Sequence, residues 1–154
     1  MGELNKIKVV LDSAVNEAVR LLDANAAYIR LLEDEVLVPG AATASAVQYL
    51  EDISGLSTSA LLNAGKTIAG QLIATKKPVV LNDITESDLI LSKTRLMAKK
   101  HGFHGTVGVP LLKQGEPVGV FFVFDRTVRR FTEDEISNLV GLANQTILAV
   151  GDIA

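Results

Sequence analysis

In residues 106–124, TVGVPLLKQGEPVGVFFVF, two apolar runs flank the polar tetrapeptide KQGE. Both runs are rich in Val or Phe, which favour extended backbone, and a short Gly-containing segment between two such runs is typical of a β-hairpin. Pro110 lies inside the first run and has no N–H to donate to a neighbouring strand. We therefore expect two adjacent antiparallel strands, with Pro110 at a bulge or where its N–H is not needed.

Four further segments of the chain have the pattern of strands. AAYIRLL (26–32) and VLVPGA (36–41) are separated by Glu33–Glu35, which predicts a second hairpin. PVVLND (78–83) begins with Pro and predicts one more strand, and SALLN (59–63) predicts a short one. Hairpins between neighbouring segments argue against an alternating parallel sheet. They indicate an α+β fold with a largely antiparallel sheet.

The two ends of the chain have the periodicity of long helices. Residues 3–23 carry apolar side chains at alternating spacings of three and four. At the other end, Thr132 and Glu135 form a capping box, with Phe131 and Ile136 placed as a hydrophobic staple, and wide apolar stripes follow. The stripes predict helices that pair with each other and across a two-fold axis. The residues that we expect at this dimer interface are Leu4, Ile7, Leu11, Ala14, Leu139, Leu142 and Thr146.

Between these helices the signals are shorter. We expect helices at 66–75 and at 92–102, the second ended by Gly102, and a helix start at Asp83 with Glu86 three residues later. Gly70 lies inside the first of these helices, which indicates close packing against the sheet. The Ser- and Thr-rich stretch 43–58 has weak periodicity and is predicted to be mostly loop.

Composition excludes several classes of function. The 154 residues include 18 acidic and 15 basic ones, a net charge of −3, which offers no electrostatic reason to bind a nucleic acid. There is no cysteine, so disulfides, thiolate metal sites and cysteine nucleophiles are excluded. No apolar run approaches the roughly 20 residues of a membrane helix. We expect one soluble, cytoplasmic domain over residues 1–154 that binds neither nucleic acid nor membrane.

Three stretches together resemble the GAF domain, a small-molecule-binding and dimerisation module of signalling proteins. They are GKTIAGQLIATKKPVVLND (65–83), AKKHGFHGTVGVPLLKQGEPVGVFFVF (98–124) and FTEDEISNLVGLANQTILAV (131–150). The resemblance implies five or six antiparallel strands, with the first and last helices on one face, where dimers form. It implies a ligand pocket on the other face, under residues 82–104, in a chain that is either a whole GAF-like protein or a fragment of a larger one. Its candidate pocket residues are Asn82, Asp83, Ser87, Arg95, His101, His104 and Thr106.

The residues give weaker support to three other kinds of binding site. ALLNAGKT (60–67) fits a relaxed P-loop pattern, but the loop is not glycine-rich and no apolar strand precedes it. His101 or His104 could be an axial haem ligand, as in some haem-binding GAF sensors, although a helix-end histidine is more often structural. Cyclic-nucleotide-binding GAF domains carry Asn-Lys at the position where this chain has Asp125 and Arg126. This difference argues against a cyclic nucleotide as the ligand. We predict no cofactor, with haem as the alternative.

The resulting hypothesis is a non-enzymatic regulatory domain. A small molecule of unknown identity would occupy the pocket, and the terminal helices of a homodimer would transmit its presence. The alternatives are a ligand-free dimerisation scaffold, a haem sensor and a P-loop nucleotide-binding enzyme.

Overall fold

The computed structural model describes residues 2–53, 67–88 and 90–153. Within these ranges five strands form one antiparallel sheet in the order β2-β1-β5-β4-β3. The strands are β1 (Ala26–Glu33), β2 (Val36–Ala42), β3 (Val79–Leu81), β4 (Thr106–Lys113) and β5 (Glu116–Phe124). The helices are α1 (Gly2–Leu22), α2 (Val47–Ile53), α3 (Ile68–Thr75), α4 (Ser92–His101) and α5 (Glu133–Ile153), with a 3-10 turn at Ile84–Glu86. The predicted α+β class is confirmed.

Both predicted hairpins are present, and their turns have the backbone that such hairpins need. Gln114 and Gly115 between β4 and β5 have φ of 53° and 81°, and Asp34 and Glu35 between β1 and β2 have φ of 49° and 68°. Positive φ at both central residues gives a turn whose twist matches that of the flanking strands.

Pro110 lies where its missing N–H does no harm. β3 pairs only with Thr106–Gly108 of β4, so it ends before Pro110. The register between β4 and β5 shifts immediately afterwards, between Leu111 and Leu112. The expectation from the sequence is therefore confirmed.

The sheet is covered on both sides, and β5 shows the alternation. Val120, Phe122 and Phe124 pack with α2, α3 and α4, on what we call the cavity face. Phe121 and Val123 pack with α1 and α5, on what we call the helix-pair face. The strand side chains alternate between faces because the side-chain period of a strand is two residues. Placing both terminal helices on one face agrees with the expectation from the sequence.

The ends of the helices follow local signals. At α5, the Thr132 hydroxyl accepts from Glu135 N at 3.1 Å and the Glu135 carboxylate accepts from Thr132 N at 2.9 Å, the reciprocal bonds of a capping box. α4 ends at Gly102, which has a φ of 72°. Asp83 caps a 3-10 turn through Thr85 N rather than the α-helix that we expected. None of the described helices is both long and apolar enough to cross a membrane.

The loop predicted for 43–58 is wrong over Val47–Ile53, which form α2. Two turns of helix are too short for periodicity to be visible, and α2 is stabilised instead by burying Tyr49, Leu50 and Ile53 against the sheet. Residues 43–46 contain no helix or strand, as predicted. Residues 54–58, the SALLN strand and residues 60–66 of the P-loop pattern lie outside the described residues. Thr67, the last residue of that pattern, is the N-cap of α3.

Candidate functional site

A small cavity of about 40 Å³ lies between the cavity face of the sheet and the helices that cover it. From the sheet, the described lining residues are Tyr28, Arg30, Phe122 and Phe124. From α2 and the start of α3 they are Tyr49, Ile53, Thr67, Ile68 and Ala69, and from the segments that follow they are Ile84, Ile90 and Thr94. A cavity of this volume holds a few water molecules and is far below the 300–1,000 Å³ of sites for drug-sized ligands.

Packed aromatic rings form one wall of the cavity. The Tyr28 ring centroid lies 5.3 Å from that of Phe122 and 5.4 Å from that of Phe124, and Tyr49 meets Phe124 edge-on at 5.3 Å. These are favourable separations for aromatic pairs. Gly108 of β4 makes room for this wall, because a Cβ there would lie 2.4 Å from Cε1 of Phe122.

Arg30 brings a charge into this apolar environment. It stands two residues after Tyr28 on β1, so both side chains are on the cavity face, and it is only 6% exposed. Its Cζ lies 5.3 Å from the Tyr28 ring centroid. Burial raises the pKa of the Tyr28 and Tyr49 hydroxyls, and the charge of Arg30 opposes that rise. Both phenols therefore stay neutral hydrogen-bond donors at physiological pH.

The N-terminus of α3 forms another part of the cavity lining. The Thr67 hydroxyl accepts from Gly70 N at 2.9 Å, and the Thr67 carbonyl accepts from Gln71 N at 3.1 Å. The N–H groups of Ile68 and Ala69 belong to the first turn, where a helix has no acceptor of its own to offer. This end of a helix carries partial positive charge.

The predicted pocket residues are not among the described residues that line this cavity. Asn82, Asp83 and Ser87 line a separate open surface cleft, together with Arg130 and the start of α5. Arg95 donates to the carbonyls of Ser87 and Ile90, at 2.9 and 2.8 Å, and so holds the chain before α4. Thr106 is fully buried and donates to the carbonyl of Val123 at 2.9 Å.

The two histidines are engaged by carboxylates. His101 Nε2 lies 2.7 Å from Asp52 Oδ2, linking α4 to α2, and His104 Nδ1 lies 3.0 Å from Asp83 Oδ1. Hydrogen bonds from His101 and Gln48, together with the nearby Lys100, outweigh the effect of burial and lower the pKa of Asp52 to about 2. Burial raises the pKa of Asp83, but hydrogen bonds from Thr85 and His104 outweigh it and leave that pKa lowered.

These contacts and the size of the cavity do not fit a haem. Neither histidine is among the described residues that line the cavity, and a volume of about 40 Å³ cannot hold a porphyrin. Across the described ranges, moreover, no three His, Asp or Glu side chains are grouped as they would be around a metal ion. Each histidine instead links two segments of the chain: His101 links α4 to α2 through Asp52, and His104 contacts Asp83 before the 3-10 turn.

The residues predicted for the dimer interface divide into two groups. Leu11, Ala14, Leu139 and Thr146 are buried within the protomer, between α1, α5 and the sheet. Ile7 and Leu142 are half-buried, and Leu4 is 69% exposed. Any role of the first group in dimerisation is therefore indirect, through the packing of α1 against α5.

The sequence can now be compared with known families. A sequence model of the GAF domain matches residues 6–150. The chain belongs to the GAF domain family. GAF domains are sensory and regulatory modules of signalling proteins. This assignment agrees with the observed sheet order and with the placement of both terminal helices on one face.

Individual relatives support the fold. The chain is 33% identical over 73 residues to the HTH-type transcriptional activator RamA of Corynebacterium glutamicum, a match that covers 45% of this chain and 26% of that protein. The match therefore spans about a quarter of that relative's length. The PixJ GAF domain of Thermosynechococcus elongatus superimposes with a TM-score of 0.77 at 13% identity, covering 99% of this chain and 89% of that one. The type II free methionine-R-sulfoxide reductase of Thermoplasma acidophilum superimposes with a TM-score of 0.74 at 14% identity, covering 98% and 96%.

Sequence reasoning missed the residues that form the cavity of this GAF domain. The sequence could have indicated Arg30, because it is the one charged residue in AAYIRLL and lies two residues after Tyr28, so both side chains are on the same face of the strand. Tyr49 was not, because α2 has no readable signal in the sequence. Both side chains reach the cavity through contacts between distant parts of the chain.

Proposed function

We propose that this GAF domain is a non-enzymatic sensory module that binds a small molecule in the cavity beside Arg30 and transmits its presence to the terminal helices. The observation that carries the proposal is a largely apolar cavity, on the sheet face opposite α1 and α5, whose described lining includes the buried charge of Arg30. A mostly apolar pocket with a few polar groups is what small-molecule sites have in common. The absence of cysteine separates this chain from thiol-dependent enzymes.

The sheet offers a direct route from the cavity to the helix pair. Phe122 and Phe124 of β5 line the cavity, while Phe121 and Val123, which alternate with them along the strand, pack against α1 and α5. Because interiors are close-packed, a shift of β5 on one face changes the packing on the other. Binding transmits a signal only if the ligand prefers one arrangement of the helices over the other.

Arg129 ties the end of β5 to both terminal helices. It donates to Asp125, the residue after β5, at 2.9 Å, and to Glu135 in the first turn of α5. It also donates to the carbonyls of Leu22 and Asp23 at the end of α1. One guanidinium therefore contacts the segment that follows the cavity strand and the two helices that would carry the signal.

We further propose that the domain forms a homodimer through the solvent-facing sides of α1 and α5. Leu4, Val9 and Leu148 are large apolar residues on these helices that are 69%, 65% and 69% exposed. Together with the half-buried Ile7 and Leu142, they offer apolar surface that a second copy can cover.

The small size of the cavity favours a second candidate, a dimerisation scaffold with no ligand. The two candidates differ in what the purified protein carries. The experiment measures the native mass and the melting temperature of the purified protein. Both are measured again after the protein has been unfolded in guanidinium, dialysed and refolded.

For a sensor, we expect an extra mass that is lost on refolding, together with a lower melting temperature, since a ligand at 100 times its Kd adds about 2.7 kcal/mol to the stability. Adding back the small molecules released on unfolding should restore the higher melting temperature of the wild-type protein. It should not do so for Ala69→Leu, in which the larger side chain fills the cavity. Identical mass and melting before and after refolding, with Ala69→Leu behaving as wild type, would support the scaffold.

A further inference from the structure

We propose that the open surface cleft beside Asn82 binds an apolar amino acid, a small zwitterion that carries an ammonium, a carboxylate and a hydrocarbon group. This cleft shares no described lining residue with the cavity beside Arg30, so the inference stands apart from the proposed function. Three properties of the cleft support it: its size, its charges of both signs and its apolar lining.

The cleft lies between the end of β3 and the start of α5. Residues 80–83, 86 and 87 line one side, and residues 130–133 and 136 line the other. Its volume is about 720 Å³, which falls within the 300–1,000 Å³ of small-molecule sites. It therefore has room for an amino acid, which the cavity of about 40 Å³ does not.

Charged side chains of both signs line the cleft without pairing with one another. Arg130, Glu86 and Glu133 are exposed there, and within the described part of the chain none of the three forms an ion pair. A guanidinium binds both oxygens of a carboxylate, and a carboxylate accepts hydrogen bonds from an ammonium. A zwitterion offers a partner to each sign of charge, whereas a simple cation or anion serves only one.

Asp83 adds a carboxylate that is already held in position. Its Oδ1 accepts from Thr85 N at 3.0 Å and from Thr85 Oγ1 at 2.7 Å, and lies 3.0 Å from His104 Nδ1. Burial raises the pKa of Asp83, but these hydrogen bonds outweigh it and leave the pKa lowered, so the carboxylate is ionised at neutral pH. No described residue hydrogen-bonds to Oδ2. This oxygen is therefore a preorganised acceptor for the ammonium of a ligand.

Apolar side chains complete the lining of the cleft. Phe131 is buried, and Val80, Leu81 and Ile136 are half-buried. A hydrocarbon group placed against them removes apolar surface from water, which is favourable in proportion to the area covered. An amino acid with an apolar side chain is therefore favoured over glycine.

The cleft adjoins the contacts that hold the terminal helices. The Asn82 carbonyl accepts from Arg129 N at 3.0 Å, and Cζ of Arg129 lies 4.3 Å from the Phe131 ring centroid. A ligand that spans the cleft would join the end of β3 to the first turn of α5. Bound ligand should therefore slow hydrogen exchange at the start of α5.

Calorimetric titration of the full-length protein with L-leucine, at constant ionic strength, tests the inference. Leucinamide keeps the ammonium and lacks the carboxylate, 4-methylpentanoate keeps the carboxylate and lacks the ammonium, and glycine lacks the hydrocarbon group. We expect leucine to bind about 10-fold more tightly than each of the three, since a hydrogen-bonded charge or a buried side chain contributes roughly this much.

Two variants assign the charges of the ligand to the two sides of the cleft. Arg130→Met should weaken leucine binding by about 10-fold and leave leucinamide unchanged, because leucinamide has no carboxylate to lose its partner. Asp83→Asn should weaken leucine and leucinamide and leave 4-methylpentanoate unchanged. Arg20→Met is the matched control, because Arg20 is exposed on α1 and does not line the cleft, and it should bind leucine as wild type does.

Other results would overturn the inference in distinguishable ways. No binding of leucine would reject it, and so would leucine binding that Arg130→Met leaves unchanged. Leucine binding lost in Ala69→Leu but kept in Arg130→Met would place the amino acid in the cavity, which would support the proposed function. Leucinamide that binds as tightly as leucine would show that the carboxylate is not recognised. If Asp83→Asn does not fold by circular dichroism, Glu86→Gln, at an exposed position, tests the ammonium contact instead.

Discussion

The Phe122 ring in the wall of the cavity packs directly over Gly108. Because Gly108 has no Cβ, the Phe122 ring can lie against β4 and face Tyr28. A methyl group at this position would overlap the ring, and the neighbours are themselves buried. The shape of the cavity therefore depends on the smallest residue of β4 as much as on the aromatic ones.

Gly108→Ala is expected to destabilise the domain by about 1–3 kcal/mol, the range for overpacking a core, and to alter the tyrosine circular dichroism in the near ultraviolet. Urea unfolding measures the first effect. Gly141→Ala is the control, since a Cβ there meets nothing within 4 Å on an exposed turn of α5. It should stabilise by roughly 0.5–1 kcal/mol. Equal effects at the two positions would contradict the proposed close packing.

The lowered pKa of Asp52 predicts that the stability of the domain depends on pH. Hydrogen bonds from His101 and Gln48, and the nearby Lys100, lower its pKa from 3.8 to about 2. A carboxyl whose pKa is depressed in the folded state contributes stability above its unfolded pKa, and this is lost as the pH falls through the folded value.

We therefore expect wild type to be more stable than Asp52→Asn above about pH 5, with the difference shrinking between about pH 4 and pH 2. Urea unfolding of both proteins at a series of pH values measures this. Two stability curves that stay parallel down to pH 2 would mean that the carboxylate is not held by His101 in solution.

At the scale of elements, Arg129 joins three segments that are far apart in sequence. Its contacts reach Asp125 after β5, the last carbonyls of α1 and Glu135 in α5, and its Cζ lies 4.3 Å from the Phe131 ring centroid. The carbonyls at a helix C-terminus otherwise lack partners, and a cation there also complements the helix dipole.

Arg129→Met is expected to lower the free energy of unfolding by about 2–3 kcal/mol, because charged hydrogen bonds are lost and the carboxylates of Asp125 and Glu135 each lose an ion pair. Hydrogen exchange should increase at the end of α1 and the start of α5. Arg130→Met changes the neighbouring, exposed arginine and should stay within about 0.5 kcal/mol of wild type. If the two variants behave alike, Arg129 does not connect these helices.

For the whole molecule, the sheet separates two environments. One face carries the cavity, and the other carries α1 and α5, whose outer sides expose apolar residues. In the proposed function, one face receives the ligand and the helices on the opposite face contact a second copy. The proposed dimer is therefore a property of the complete fold rather than of either helix alone.

Leu148→Glu is expected to weaken the dimer by about 10- to 100-fold, as a large side chain is lost from an apolar interface and a charge takes its place. Sedimentation equilibrium over a range of concentrations measures the change. Leu96→Glu is the matched control, because Leu96 is 62% exposed on α4, on the other face of the sheet. A dimer weakened by Leu96→Glu and not by Leu148→Glu would place the interface on the cavity face.

Local rules were enough to predict much of this fold. The two hairpins, Gly102 after α4 and the Thr132–Glu135 capping box each depend on residues within a few positions of one another. The apolar stripes identified the terminal helices because helical periodicity is a property of one segment. Together these signals were sufficient to recognise the family.

Only the tertiary structure decided where the cavity lies and what lines it. α2 forms because Tyr49, Leu50 and Ile53 are buried against the sheet. The local sequence does not predict that burial. Arg30 is a single charge in a strand until Tyr28, Tyr49 and the start of α3 surround it from distant parts of the chain. Likewise, Leu11 and Leu4 belong to one helical stripe, yet the packing of α5 buries the first and leaves the second exposed. Burial of this kind depends on which distant segments meet, and a pattern read along one segment does not contain that information.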